Sequence, residues 1–297
     1  MENTIIKNKY AYVVPASSNY IEGLNAMFGS LEFWNNKADV VLVSYRLPKE
    51  YLEGLKKYSY NIRVIESEGE EQTKATAIER FRVAFEVGQE YDAICLLDAD
   101  MFMTADNTDF FNIASKGVII TGSNGMIINF NKAYQKQYGL DLGKKEWIYN
   151  KIHTTVPIFI SKVDLDWFFE LYNSRRIDHW DDFLYLNILG IKMEKYKKMI
   201  CMPPYTFTGI HHFQMKPETA VFRKEDFLLS GTEEQVYMVH GKWWDKGWTQ
   251  DLMPTMKKYF KDQMVGRKGR EKTAMAIATL EGEFNRYVKF GKTKVSK

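Results

Sequence analysis

Four short apolar runs, separated by stretches of helical periodicity, constrain this chain more than any other feature. "YAYVVPAS" (Tyr10 to Ser17), "ADVVLVSY" and "NIRVIES" are rich in β-branched and aromatic residues and read as buried strands. "NYIEGLNAMFGSLEFW" carries Ile21, Leu24, Met27 or Phe28, and Leu31 at helical spacing. "PKEYLEGLKKY" is a short helix with proline first, where a missing N–H costs little. "TKATAIERFRVAFEVG" is a helix that stops near Gly88. The fourth strand is "DAICLLDAD". Strands alternating with helices imply an α/β fold: a mostly parallel central sheet with helices on both faces.

The second half is less regular. "GVIITGSNGMIINF" and "HTTVPIFIS" read as strands, "VDLDWFFELYN" and "DDFLYLNILG" as helices, and "KMICMPPYTF" as a strand broken by two prolines. From about Leu252 the pattern is helical, with Met253, Met256 and Phe260 on one stripe and Ile277, Leu280, Phe284 and Val288 on another. This region is basic. From Lys257 onward 12 Lys and Arg stand against 4 Asp and Glu, whereas the preceding chain holds 29 against 34. A basic tail behind a mildly acidic body suits an anionic partner: a membrane surface, nucleic acid or an acidic face of a second subunit in a homodimer. Its stripes fit packing on the body, dimerisation or peripheral membrane contact alike.

No apolar run approaches the roughly 18 residues of a membrane span. The N-terminus lacks the pattern of a secretory signal. Cys95 and Cys201 both lie among apolar residues, read as reduced core residues, and point to a cytoplasmic protein. No Cys/His spacing of the zinc type appears.

The fourth strand ends on Asp98 and Asp100, with only Ala99 between them. In open parallel sheets ligands bind at the carboxyl ends of strands. Side chains two apart on a strand face the same way, so the two carboxylates would repel unless a cation lay between them. A hard divalent ion, Mg²⁺ or Mn²⁺, resolves this through the carboxylates and phosphate oxygens. Two chemistries use such a pair. One is a haloacid-dehalogenase-type aspartyl phosphatase with Asp98 as nucleophile and Asp181 and Asp182 as downstream acids. That class usually has Thr or Val four residues after the nucleophile, where this chain has Phe102. The other is sugar transfer from a nucleotide-sugar, in which the metal neutralises the diphosphate leaving group.

The segments quoted so far, with two more, resemble the metal-dependent GT-A glycosyltransferase family that contains glycogenin and bacterial lipooligosaccharide galactosyltransferases. "SSNYIEGLNAMFGSL" resembles that family's first strand-to-helix turn, and "YDAICLLDADMFMTADNTDFF" its D-x-D block. "DDFLYLN" resembles its Asp-Gln-x-x-x-Asn element through Asp182 and Asn187. "HGKWWDKGW" is similar to its C-terminal element at His240, Lys246 and Trp248. The departures are Phe183 for the usual Gln, Trp243 for a Gly and Gly247 for a Pro. No clear copy of the family's Asn-x-Gly strand is found.

The resemblance implies a GT-A catalytic domain over residues 1–250 and a basic helical extension over 251–297. It implies a UDP-sugar donor, Mn²⁺ or Mg²⁺ held by Asp98, Asp100 and His240, and transfer to an acceptor hydroxyl with retention. Pro15, Ala16, Ser17 and Tyr20 would line the nucleotide pocket, joined by Ala99 and by Arg80 or Arg82. Those two arginines cannot share a helix face. Lys246 would contact the diphosphate. Asp182, or the adjacent Asp181, would lie near the donor sugar or acceptor hydroxyl. Trp180, Trp243 and Trp244 are candidates for stacking on an acceptor, which the sequence leaves open among a glycan, a lipid-linked glycan, a hydroxylated nucleic acid base and a protein.

Three other readings compete: the phosphatase, a nucleotidyltransferase and a non-catalytic nucleotide-sugar-binding module. The nucleotidyltransferase usually needs a glycine- and arginine-rich signature that "VVPASSNYIEG" does not supply.

Overall fold

The computed structural model describes residues 8–67, 74–122, 127–129, 132–141, 147–149, 157–174, 182–203, 206–209, 222–224, 227–229, 234–240 and 285–291. The strands are β1 (Tyr10–Ser17), β2 (Asp39–Tyr45), β3 (Ile62–Glu66), β4 (Ala93–Leu96), β5 (Met101–Met103), β6 (Ile119–Gly122), β7 (Ile127–Asn129), β8 (Trp147–Tyr149), β9 (Ile158–Ser161), β10 (Met199–Met202), β11 (Phe207–Gly209), β12 (Phe222–Lys224), β13 (Phe227–Leu229) and β14 (Met238–His240). The helices are α1 (Ile21–Phe33), α2 (Lys49–Gly54), α3 (Lys74–Gly88), α4 (Thr108–Ala114), α5 (Lys132–Tyr138), α6 (Asp166–Ser174) and α7 (Asp182–Lys192), followed by a C-terminal helix over 285–291.

Seven strands form the central sheet in the order β10-β6-β9-β4-β1-β2-β3. β1 pairs parallel with β2 and β4, β2 with β3, and β10 with β6. β9 alone runs the other way, inserted between β4 and β6. The unbroken apolar character of β1, β2 and β4 follows from their place: every residue of β2 and β4 is buried, as expected of strands covered on both faces. Pro203 follows the end of β10, the second proline, Pro204, lies outside the described residues, and the next strand is β11. "GVIITGSNGMIINF" yields two strands, β6 and β7, rather than one.

Helices pack around this sheet through large rings. Phe81 and Phe85 on α3 meet Phe168 and Phe169 on α6 at 5.3 and 4.6 Å between ring centroids. Trp167 is fully buried, and its Nε1–H donates to the Leu186 carbonyl at 3.1 Å, tying α6 to α7. On α4, Phe110 and Phe111 contact Phe159 of β9. Cys95 sits in this core, but Cys201 lies half-buried on the edge strand β10, so only one cysteine is a core residue. Among the described residues no helix is long and apolar enough to cross a membrane.

A second sheet, β11-β14-β5, stands beside the C-terminal end of β4. α1 supports it. Ser30 Oγ accepts from the Met103 N–H at 2.9 Å while donating to the Met27 carbonyl at 2.7 Å. The C-terminal helix rests on α1 at backbone distance. A Cβ on Gly29 would lie 2.0 Å from the Tyr287 carbonyl oxygen, and one on Gly291 would lie 3.4 Å from the Gly29 Cα. Two glycines therefore permit a contact that any side chain would prop open. Tyr287 is completely buried there, whereas Val288 is only half-buried. The inward face of this segment is thus one position away from the stripe that ran through Phe284 and Val288. The seat formed by Phe33, Trp34 and Phe102 receives the larger, hydrogen-bonding ring.

Candidate functional site

Strand geometry in β4 stops at Leu96. Leu97 still donates to the Val13 carbonyl at 3.0 Å, but Asp98 to Asp100 form a turn in which the Met101 N–H meets the Asp98 carbonyl at 3.2 Å. The alternation expected of a strand therefore does not relate the two carboxylates. The turn gives them different environments: the Asp98 side chain is 26% exposed, and Asp100 is 2% exposed. Ala99 between them is buried.

Past the turn, β5 pairs antiparallel with β14, with Met101 opposite His240, Phe102 opposite Val239 and Met103 opposite Met238. Directly opposed residues in such a pair have Cα atoms about 4.5–5.5 Å apart. The His240 backbone is thus across from the residue that follows Asp100. Three further hydrogen bonds tighten this junction. The Thr104 N–H donates to the Tyr237 carbonyl at 3.0 Å, Thr104 Oγ1 donates to the Val236 carbonyl at 2.7 Å, and the Tyr237 N–H donates to the Thr206 carbonyl at 3.0 Å.

The arginine ambiguity resolves by helix phase. Arg80 on α3 is buried, and its Nη1 donates to Asp98 Oδ1 at 2.6 Å. Arg82 points elsewhere, donating to Glu79 and Glu86 on its own helix. Arg80 is therefore the cation at the strand ends. It pairs with Asp98, and Asp100 is the more deeply buried of the two carboxylates.

At the end of β1, Pro15 is half-buried, and Ala16 and Ser17 are buried. Ser17 Oγ is enclosed with no hydrogen-bond partner, a cost of about 1–3 kcal/mol unless something satisfies it. Tyr20 is half-buried at the start of α1 and packs on the core. The parallel register sets Ser17 beside Tyr45. Tyr45 has a phenol pushed up to about 12 by burial and then by the charge of Glu79, with Arg80 pulling the other way. Sequence reading passed over Tyr45; its only signal is that it closes an apolar strand, as Ser17 does. Ser17, Tyr45, Arg80 and Asp98 thus converge along the carboxyl ends of β4, β1 and β2.

Asp182 begins α7 and His240 ends β14, both at the backbone level only. Asn187, five residues on from Asp182, is buried. Trp180, Asp181, Trp243, Trp244 and Lys246 lie outside the described residues. Among the described side chains no group of three His, Cys, Asp or Glu could hold a metal ion. Asp98 and Asp100 supply two hard oxygen donor groups at one turn. The register brings a third candidate, His240, to the adjoining strand. Carboxylate oxygens with one imidazole form a donor set that suits Mn²⁺ or Mg²⁺.

No family model matches this sequence, and no curated protein matches it. Solved structures do. Over 89% of this chain it is similar to WbbM, a bifunctional glycosyltransferase, with a TM-score of 0.54 and 13% identity, and the match covers 53% of that protein. The chain therefore spans about half the length of that relative. It is also similar to the galactosyltransferase LgtC in complex with donor and acceptor sugar analogues (TM-score 0.49, 14% identity, 88% of this chain and 99% of that one). A third match is GlyE of Streptococcus pneumoniae (TM-score 0.47, 12% identity, 94% of this chain and 64% of that one). The fold assignment rests on the first of these together with the sheet order: this chain has the GT-A fold.

Proposed function

We propose that the protein is a glycosyltransferase that moves a sugar from a UDP-sugar to an acceptor hydroxyl, with Mn²⁺ or Mg²⁺ held by Asp98, Asp100 and His240. The observation that carries this reading is the β5–β14 register. It brings a histidine from 140 positions downstream to the strand beside the Asp98–Asp100 turn, as a shared ligand set requires. The bound ion would supply electrostatic stabilisation of the diphosphate leaving group, and an imidazole ligand favours Mn²⁺ over Mg²⁺.

The chain's own residues divide the remaining work. Arg80 orients the Asp98 carboxylate and adds positive charge where a diphosphate would lie. Ser17, whose hydroxyl has no partner among the described residues, would bond the nucleoside, with Pro15, Ala16 and Tyr20 beside it. Lys246 would contact the diphosphate. Asp182 (or Asp181) would sit near the reacting sugar, and Trp180, Trp243 and Trp244 are the stacking candidates for an acceptor glycan. We place the reaction in the cytoplasm, with the basic tail toward an anionic surface. The phosphatase alternative requires Asp98 as nucleophile, and Phe102 stands where that class usually has Thr or Val.

The test is a screen of UDP-, GDP- and CDP-sugars for thermal stabilisation and slow donor hydrolysis, with and without Mn²⁺. Stabilisation by a UDP-sugar that needs Mn²⁺ and disappears in Asp100→Ala is the expected result. No response to any nucleotide, with release of phosphate from simple esters instead, would overturn it.

A further inference from the structure

The C-terminal helix meets the body next to the carboxylate turn. Its Tyr287 ring lies 5.7 Å, centroid to centroid, from Phe102, the second residue after Asp100. Phe102 in turn is opposite Val239, the residue before His240. Tyr287 therefore touches the one strand that connects both halves of the metal set. Tyr287 is itself fixed. Trp34 Nε1–H donates to its Oη at 3.1 Å, Phe33 packs edge-on at 5.6 Å, and the Gly29–Tyr287 backbone contact leaves the helix no room to shift toward α1. Phe290 and the Arg286 guanidinium, 4.4 Å over the Phe33 ring, hold the same helix from either side of Tyr287.

β5 is only three residues long and leads directly out of the turn that carries Asp98 and Asp100. A strand this short has few bonds of its own to hold its position. Its support comes from β14 on one edge, from α1 packed along it with Ser30 at Met103, and from the Tyr287 ring against Phe102. Carboxylates that bind a cation must be held to within fractions of an ångström, and outer partners of metal ligands commonly set affinity.

We propose that Tyr287 is a positioning residue for the metal site: its ring, delivered by the C-terminal helix, holds Phe102 and thereby sets the spacing between the Asp98–Asp100 turn and His240. This rests on the metal reading above. It also gives part of the C-terminal region a role in the site rather than only at a surface.

The experiment measures Mn²⁺ affinity of the full chain in the presence of UDP, by calorimetric or spin-resonance titration. Tyr287→Leu should weaken Mn²⁺ binding about tenfold or more. Tyr287→Phe, which keeps the ring and loses the Trp34 bond, should bind within about twofold of wild type. Leu171→Ala on α6, in a separate part of the core, serves as a control for stability alone and should lower the melting temperature without changing Mn²⁺ affinity. If Tyr287→Leu fails to fold, Phe102→Leu removes the same ring contact from the strand side and should give the same loss. Unchanged affinity in the foldable ring variant overturns the proposal, as does an equal loss in Leu171→Ala. Wild-type protein that takes up no Mn²⁺ with UDP overturns the metal reading, and this proposal with it.

Discussion

At the scale of single residues, Arg80 and Arg82 separate two kinds of ion pair. Arg80 is buried and meets a carboxylate that is one-quarter exposed, whereas Arg82 bridges side chains on the solvent side of its own helix. Arg80→Ala should cost about 1–3 kcal/mol, the range for losing a hydrogen bond to a charged group. Arg82→Ala should cost less than about 1 kcal/mol. Urea unfolding of the two variants checks this, and nucleotide titration should show weakened binding only for Arg80→Ala. Sequence spacing named both arginines and could not choose between them, because a helix start uncertain by one or two residues rotates its face by about 100–200°. The Asp98–Asp100 pair stood out for the opposite reason: two carboxylates one residue apart after an apolar run need no phase to be conspicuous. Their arrangement was not readable, because a turn rather than a strand carries them.

At the scale of elements, α1 and the C-terminal helix depend on the absence of a side chain. Gly29→Ala would normally gain about 1 kcal/mol in helix propensity. Here the added Cβ falls 2.0 Å from the Tyr287 carbonyl oxygen, so the variant should melt lower than wild type despite that gain. Ser30→Ala should also lose about 1–3 kcal/mol, because it leaves the Met103 N–H without its acceptor; differential scanning calorimetry reads both. Periodicity found nearly every helix and strand of the first hundred residues, since each buries one regular face. It missed that Tyr287 rather than Val288 turns inward. The sequence stripe runs through Phe284 and Val288 alone in this region, and the seat that selects Tyr287 is built from α1 and β5, far away in sequence.

At the scale of the whole molecule, phenols dominate the pH response. Tyr12, Tyr51, Tyr58, Tyr60 and Tyr91 are all raised by burial, and Tyr45 to about 12. Unfolded tyrosine ionises near 10. A raised folded value means that the stability these groups contribute is complete below pH 10 and is lost as pH rises through the folded values. Melting temperatures should therefore fall steeply from about pH 10 upward, with the tyrosinate absorbance of these six phenols appearing together with unfolding rather than before it. The alternation of apolar runs made the parallel half of the sheet legible. The antiparallel insertion of β9 between β4 and β6 was not, because pairing partners 37 to 68 residues apart leave no local trace.

The docking of the C-terminal helix also sets a clock. Trp34 and Tyr287, joined by a hydrogen bond, are separated by 253 positions. At roughly 5–20 residues per second a ribosome needs about 13–50 s to travel between them. Throughout that interval the α1 surface around Gly29 and Phe33 waits without the partner that covers it, joined by the back of Phe102 once that residue is made. The nascent chain carries an exposed aromatic seat until residues 285–291 emerge, so a holdase that shields such a surface should associate with translating ribosomes and leave only after that segment is made.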